Sequence, residues 1–438
     1  MSSPPWRGRR LHLIGVGGAG MSAYARAAHE LGASVTGSDR SESPFATALL
    51  GEGVLSELRL GHAPENVPDG ADVEVYYSSA IAAENPERVT ALARGLAVRP
   101  RAELLAELSA LRRTIAVAGT HGKTTTASMI AHVLAAAGLD PGYLIGAAPR
   151  EGGVGGHWGS GDWLVVEADE SDRSLLSLVR EIAVLTNVEL DHHDRFGSLH
   201  ELEALYREFL APAAQAVIWD RPELLALRSG PSLRYDAQAQ LTPGGSRQCF
   251  DGIAVELAVP GEHNARNAAA ALTVAKALGI DLALAAGALA TFRNVGRRFE
   301  RLGAQVYDDY AHHPTEIAAT LAAARTLAPA RLIAAFQPHL YSRTRALARE
   351  FGQALAAADI VAVLPVYAAR ERSEDFPGVS GLLIAEATAD AAPGRAVYWL
   401  ADREAAEKVL RELIAPGDLL VVMGAGDIDA LGRSLADA

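Results

Sequence analysis

Leu11 to Val16 is a short unbroken apolar run, followed by a glycine-rich turn and then by the helical spacing of Met21 to Leu31, closed by Gly32. A run this short without alternation predicts a strand buried on both faces, and the spacing after it predicts a helix. Ser34 to Thr36 reads as a second strand, which completes a β-α-β opening. Val73 to Tyr77 is another strand-like run, and Pro86 to Gly95 and Ala102 to Leu111 have helical patterning, so α/β alternation continues to about residue 111.

A second β-α-β unit starts with the strand Thr114 to Ala118, a glycine turn, and a helix from about Thr124 to Ala137 closed by Gly138. The apolar face of that helix is Met129, Ile130, Val133, Leu134 and Ala137. Strands are predicted at Trp163 to Val166 and Ile182 to Leu185, followed by a less regular stretch and a helix from Ala265 to Leu278. Beyond Gln305, runs at Leu332 to Phe336, Ile360 to Pro365 and Leu419 to Met423 alternate with alanine-rich helices. The pattern predicts an α/β chain of three domains, 1–111, 112–295 and 296–438, and 438 residues at roughly 150 per domain give the same count.

Composition narrows the class. With 49% hydrophobic and 21% charged residues, the chain has the make-up of a soluble globular protein. No apolar stretch reaches the ~18 residues a membrane helix needs, and the run after Arg7, Arg9 and Arg10 is too short for a signal peptide. A net charge of -13 argues against a nucleic-acid partner held by general attraction, so an anionic ligand must be gripped by local donors. Cys249 is the only cysteine, which excludes an internal disulfide framework and fits a reducing cytoplasm. Of forty basic residues only Lys123, Lys276 and Lys408 are lysines, so each lysine is a rare choice.

Lys123 lies in GTHGKTTT, Gly119 to Thr126, between a strand and a helix. In that setting backbone N–H groups and the lysine can surround ATP phosphates while a threonine hydroxyl faces magnesium. The loop is two residues shorter than GxxxxGK[ST]. Gly15, Gly17 and Gly20 spell GxGxxG ahead of a helix, with Asp39 at a later strand end; this indicates a pyrophosphate-bearing nucleotide, a dinucleotide or a UDP-linked sugar alike. Glu167, Asp169, Glu170 and Asp172 follow a buried strand, where at least one is expected to serve magnesium and about two to be solvated. Asp191, His192, His193 and Asp194 follow the next strand, and magnesium, a surface loop and zinc are all open readings. Asn264 and Asn267 share one helix face, from which two amides could read a purine edge.

Taken in order, GVGGAGMS, GTHGKTTT, EADESD, TNVELDHHD, GEHNARN, GRRFE, DDYAHHP, FQPHLYSRT and MGAGD resemble the Mur ligase family across nearly the whole chain. The resemblance implies an N-terminal Rossmann-like domain for a UDP sugar, a central P-loop ATPase-type domain, and a C-terminal Rossmann-like domain that closes over the site. It implies that Gly119, Thr120, His121, Gly122, Lys123, Thr124 and Thr125 bind ATP, that Lys123 and His192 are catalytic, and that Thr124, Glu167 and His192 hold Mg2+. Asn264 and Asn267 would contact adenine, and Arg298 and Asp309 would also reach ATP. Gly15, Gly17, Gly18, Gly20, Asp39, His62 and Ser79 would bind the sugar nucleotide, and Tyr310, His312, His339 and Arg343 would surround the incoming amino acid. Leu340 stands where some relatives carry arginine. No lysine lies between Lys123 and Lys276, so the carbamylated lysine of several branches has no counterpart, which fits the alanine-adding branch. That branch joins L-alanine to UDP-N-acetylmuramate in peptidoglycan precursor synthesis; the tripeptide-recycling branch usually shows EADEYD and lacks FQPHxYSRT. The expected protein is cytoplasmic, a monomer or weak homodimer, and free of nucleic-acid and membrane partners.

Overall fold

The computed structural model describes residues 4–146, 155–191, 195–293 and 295–436. Two compact units divide the chain: Met1–Val188 with Glu203–Tyr235 and Ala270–Ala285, and Glu189–Leu202 with Asp236–Ala269 and Ala286–Ala438. No described helix is long and apolar enough to cross a membrane.

The first unit holds two sheets. One runs Leu55–Leu60, Ser34–Asp39, Arg10–Ile14, Val73–Tyr77, Ala97–Pro100 in spatial order, all parallel. Chain direction across the sheet reverses at the central strand Arg10–Ile14, and an open parallel sheet places ligands at the carboxyl ends of strands flanking such a switch. The turn at residues 15–18 and the helix Ala19–Glu30 start at that point. The other sheet has seven strands, with Arg113–Ala118 between Ile182–Leu185 and Trp163–Glu167 at its centre. These three central strands are almost wholly buried, as their continuous apolar runs require of a sheet covered on both faces.

The second unit holds a three-stranded antiparallel sheet, Ala239–Thr242, Gly245–Phe250 and Ile253–Leu257, and a six-stranded sheet. The latter is parallel from Val306–Asp309 through Leu419–Met423, Leu332–Phe336 and Ile360–Val363 to Ala396–Trp399, with Glu300–Arg301 antiparallel at one edge. Each face of this sheet carries its own apolar core, one around Phe336 and Phe351, the other around Ile333, Leu410 and Val422.

Most helices and strands read from patterning are present within a residue or two at each end. The less regular stretch is where patterning failed. It contains the helix Leu199–Leu210, the strand Gln215–Trp219 and the small antiparallel sheet, whose strands bury only some of their residues and so give no continuous apolar run.

Candidate functional site

At the first glycine turn, the Gly17 N–H donates to Asp39 Oδ2 at 2.8 Å, and Ser43 Oγ donates to the Gly17 carbonyl at 2.9 Å. A Cβ on Gly17 would sit 2.7 Å from Ser43 Oγ and 2.9 Å from Asp39 Oδ2, so a larger residue would have to displace the two side chains that hold the turn. Gly18 caps the helix in extended conformation, and a Cβ on Gly20 would meet an Arg101 guanidinium nitrogen at 2.9 Å. One Asp39 oxygen is thus engaged by the turn itself. Ser79 lies exposed just after the strand Val73–Tyr77, and His62 follows the strand Leu55–Leu60 at the same edge of the sheet.

At the second turn, Gly119 has φ of +132°, and a Cβ there would lie 2.1 Å from Thr186 Oγ1 and 2.9 Å from the Asn187 carbonyl. The loop is clamped from the next strand. His121 N–H donates to Asn187 Oδ1 at 2.9 Å, Asn187 Nδ2 and Thr186 Oγ1 donate to the His121 carbonyl at 2.9 and 2.7 Å, and Thr120 N–H donates to the Asn187 carbonyl at 3.2 Å. Gly122, left-handed at φ +78°, then starts the helix Lys123–Ala136, in which Thr124 and Thr125 are buried. A helix N-terminus behind a clamped glycine loop is a ready anion site.

Lys123 Nζ donates to the Gly119 and Thr120 carbonyls at 2.7 and 3.1 Å and lies 2.9 Å from Glu170, which is 1% exposed. Burial works against the lysine charge, but Glu170 and then Asp169 outweigh it and hold the ammonium pKa above the ordinary lysine value. Thr124 Oγ1 donates to Glu167 Oε1 at 2.7 Å, and Gly146 N–H donates to Glu167 Oε2 at 2.7 Å. A hydroxyl and a carboxylate meeting at the ends of adjacent elements are the hard oxygen donors that Mg2+ takes. Of the other two acidic residues, Asp169 has a side chain 41% exposed and Asp172 one 13% exposed, and both bind Arg101, at 3.1 and 2.6 Å. Arg101 lies at the start of the helix Arg101–Ala110, far away in sequence, and no motif marked it. His192, His193 and Asp194 lie outside the described residues.

The second unit gathers another group. Arg297, at φ +59°, bonds Asp308 and the carbonyls of Gly424 and Gly426, which pins GRRFE to MGAGD and leaves Arg298 over the Tyr310 ring, 5.0 Å from its centroid. Asp309 accepts the Phe299 and Ala311 N–H groups at 2.7 and 2.8 Å. Tyr310, His312, His339 and Tyr367 follow one another ring to ring at 5.3, 5.9 and 5.7 Å. Arg343 is 2% exposed and directs Nε and one terminal nitrogen at Asp191 Oδ1, at 2.9 and 2.6 Å, and the other at His339 Nδ1, at 3.2 Å. Leu340, at φ +72°, is buried, and its N–H donates to the Tyr367 carbonyl at 3.0 Å. Asn264 Nδ2 donates to the Pro260 carbonyl at 2.7 Å, and Asn267 Nδ2 to Asn264 Oδ1 at 3.4 Å; both asparagines are buried.

Three family models match the chain in succession: the Mur ligase family catalytic domain over residues 10–113, the Mur ligase middle domain over 117–275, and the Mur ligase glutamate ligase domain over 297–426. The chain belongs to the Mur ligase family. The resemblance read from the motifs and the three-domain α/β plan are borne out. A UDP-N-acetylmuramate–L-alanine ligase of Rubrobacter xylanophilus is 45% identical to this Mur ligase, over 97% of this chain and 99% of that one. One of Thermobifida fusca is 42% identical over 98% and 96%. Among solved structures, the UDP-N-acetylmuramate-alanine ligase of Thermotoga maritima matches with a TM-score of 0.83 at 27% identity, covering 98% of both chains.

Burial, first among the causes, pushes His312 down to about 4, His339 to about 3 and His263 to about 4. Burial likewise pushes Asp308 and Asp309 up to about 6. Each imidazole takes up a proton on unfolding between its folded pKa and the unfolded value near ~6.5, so stability falls as pH drops through that window. The two carboxyls act the other way between roughly 4 and 6, but they are fewer and less shifted. The expected result for this Mur ligase is a melting temperature that falls from pH 6.5 to 4.5. The fall should be shallower in a His312→Gln/His339→Gln variant; equal slopes in thermal melts of the two proteins would refute the assignment.

Proposed function

We propose that this chain is an ATP-dependent ligase that joins L-alanine to the lactyl carboxylate of UDP-N-acetylmuramate, an early step of cytoplasmic peptidoglycan precursor synthesis. The observation that carries the reading is the clamped glycine loop with Lys123 beside it and the Thr124–Glu167 pair behind it. The relatives' names supply the choice of sugar nucleotide and amino acid. The carboxylate oxygen attacks the γ-phosphorus of ATP, forming an acyl phosphate and releasing ADP. The alanine amine then attacks the acyl carbon, phosphate leaves, and the amine gives up a proton to form the amide.

Two anions must meet in the first step, so positioning and charge compensation carry most of the rate. Lys123 supplies a fixed positive charge, and the loop N–H groups orient the phosphates. Thr124 and Glu167 are the proposed Mg2+ ligands, with His192 for a second ion, and such an ion neutralises phosphate charge when bound. The sugar nucleotide is assigned to the glycine turn with Asp39, His62 and Ser79, and the amino acid to the group formed by Tyr310, His312 and His339. The corresponding domains are 1–111, 112–295 and 296–438, in a monomer or weak homodimer.

The test is phosphate release by the purified chain with ATP, magnesium and UDP-N-acetylmuramate. Release that depends on L-alanine is expected. Release only with the L-Ala-γ-D-Glu-diaminopimelate tripeptide would reassign the protein to the recycling branch, and none with either would overturn the substrate assignment.

A further inference from the structure

Glu87 is wholly buried, yet it is a carboxylate with four donors. His12 Nε2 and Ser38 Oγ meet one oxygen at 2.9 and 2.6 Å; His62 Nδ1 and Asn66 Nδ2 meet the other at 2.7 and 3.1 Å. Those contacts fill the acceptor capacity of an ionised carboxylate. Burial alone would raise its pKa, but the hydrogen bonds from His12, Ser38, His62 and Asn66 prevail and lower it. Asn85 fixes the backbone beneath it by accepting the Glu87 and Arg88 N–H groups.

Of the two imidazoles, His12 is sealed in the sheet, while the His62 side chain is 17% exposed. His62 is therefore the one that can meet a ligand. It lies beside the glycine turn: Gly61 N–H donates to the Asp39 carbonyl at 2.8 Å, and the Asp39 side chain accepts the Gly17 N–H. Asn66 ties the same strand end by also donating to the Gly61 carbonyl at 2.8 Å.

We infer that Glu87 is a positioning residue for the nucleoside end of the sugar nucleotide, holding His62 by Nδ1 so that Nε2 faces the ligand. The inference rests on the sugar-nucleotide reading of this edge. An ionised Glu87 accepts a hydrogen bond from Nδ1–H, and a ring that carries its proton on Nδ1 offers Nε2 as an acceptor. Its fitting partner is a hydroxyl of the ribose or the N3–H of the base. A carboxylate that orients an imidazole from behind is the arrangement that fixes tautomer and direction in histidine ligands generally.

UDP alone, titrated calorimetrically into the full chain, tests this without turnover. The expected result is about tenfold weaker UDP binding in His62→Ala and in Glu87→Gln, one lost directed hydrogen bond in each case. The double variant should be no weaker than either single one, because Glu87 acts through His62. KM for UDP-N-acetylmuramate should rise with kcat unchanged. In the unsubstituted protein, nitrogen NMR should find the His62 proton on Nδ1. Losses that multiply in the double variant, normal UDP binding by either single variant, or a proton on Nε2 alone would overturn the role of Glu87 while the substrate reading stands. Failure of the unsubstituted protein to bind UDP would instead overturn the substrate reading, and this inference with it.

Discussion

Lys123→Ala should lower alanine-dependent phosphate release by about 10³-fold or more, the scale of losing a preorganised charge at a phosphoryl-transfer centre. The same substitution should also unsettle the fold, because Glu170 is sealed behind the lysine and would lose the ammonium that lies 2.9 Å from it. Removing one member of a buried pair costs on the order of 3–5 kcal/mol, unless the carboxylate takes up a proton. Activity and stability can be separated with Glu170→Gln. The Lys123→Ala/Glu170→Gln variant should recover most of the lost melting temperature and none of the turnover. Near-normal phosphate release from that stabilised variant would remove Lys123 from the chemistry. Lys123→Arg should also stay inactive, since a planar fork cannot replace a compact ammonium folded over its own loop onto two carbonyls.

Arg343→Ala should be the most destabilising change in the second unit, again on the order of 3–5 kcal/mol, because it removes the guanidinium that bonds buried Asp191 twice. All three guanidinium nitrogens are engaged by Asp191 or His339, so Arg343 holds the His339 ring as well as the pair. Turnover with L-alanine should fall even where the variant remains folded. Asp191→Asn should be milder, since an amide oxygen can still accept from the guanidinium. Calorimetric melts of the two variants decide this; a loss below about 1 kcal/mol for Arg343→Ala would mean that the pair is no more than a surface-grade contact.

The sequence displayed the parts of the site that repeat a local rule. A glycine turn between a strand and a helix is visible from spacing, so both nucleotide turns and Lys123 could be found. The partners of those residues were hidden. Glu170 reaches Lys123, Arg101 reaches Asp169 and Asp172, and Asp191 reaches Arg343, each across 47 to 152 positions of chain. Nothing in the spacing of an acidic cluster says which carboxylate meets a lysine and which an arginine. Glu87 was invisible for a further reason: in the sequence it is one glutamate early in a helix, and only the sheet packed over it makes it a buried hub. In the same way Arg297 and Arg298 are equivalent on paper, but the former is taken up in pinning two glycine carbonyls.

The contact between Gly119 and the Thr186–Asn187 step bears on protein engineering. The eight-residue loop is not a portable cassette, because Thr186 and Asn187, just past a strand from elsewhere in the chain, supply hydrogen bonds that hold its backbone. Grafted into another scaffold without those two residues, the loop would lose its shape, and a search for related sites by the glycine-lysine string alone would accept impostors. The transplantable unit is the loop together with a Thr-Asn step at the end of the neighbouring parallel strand.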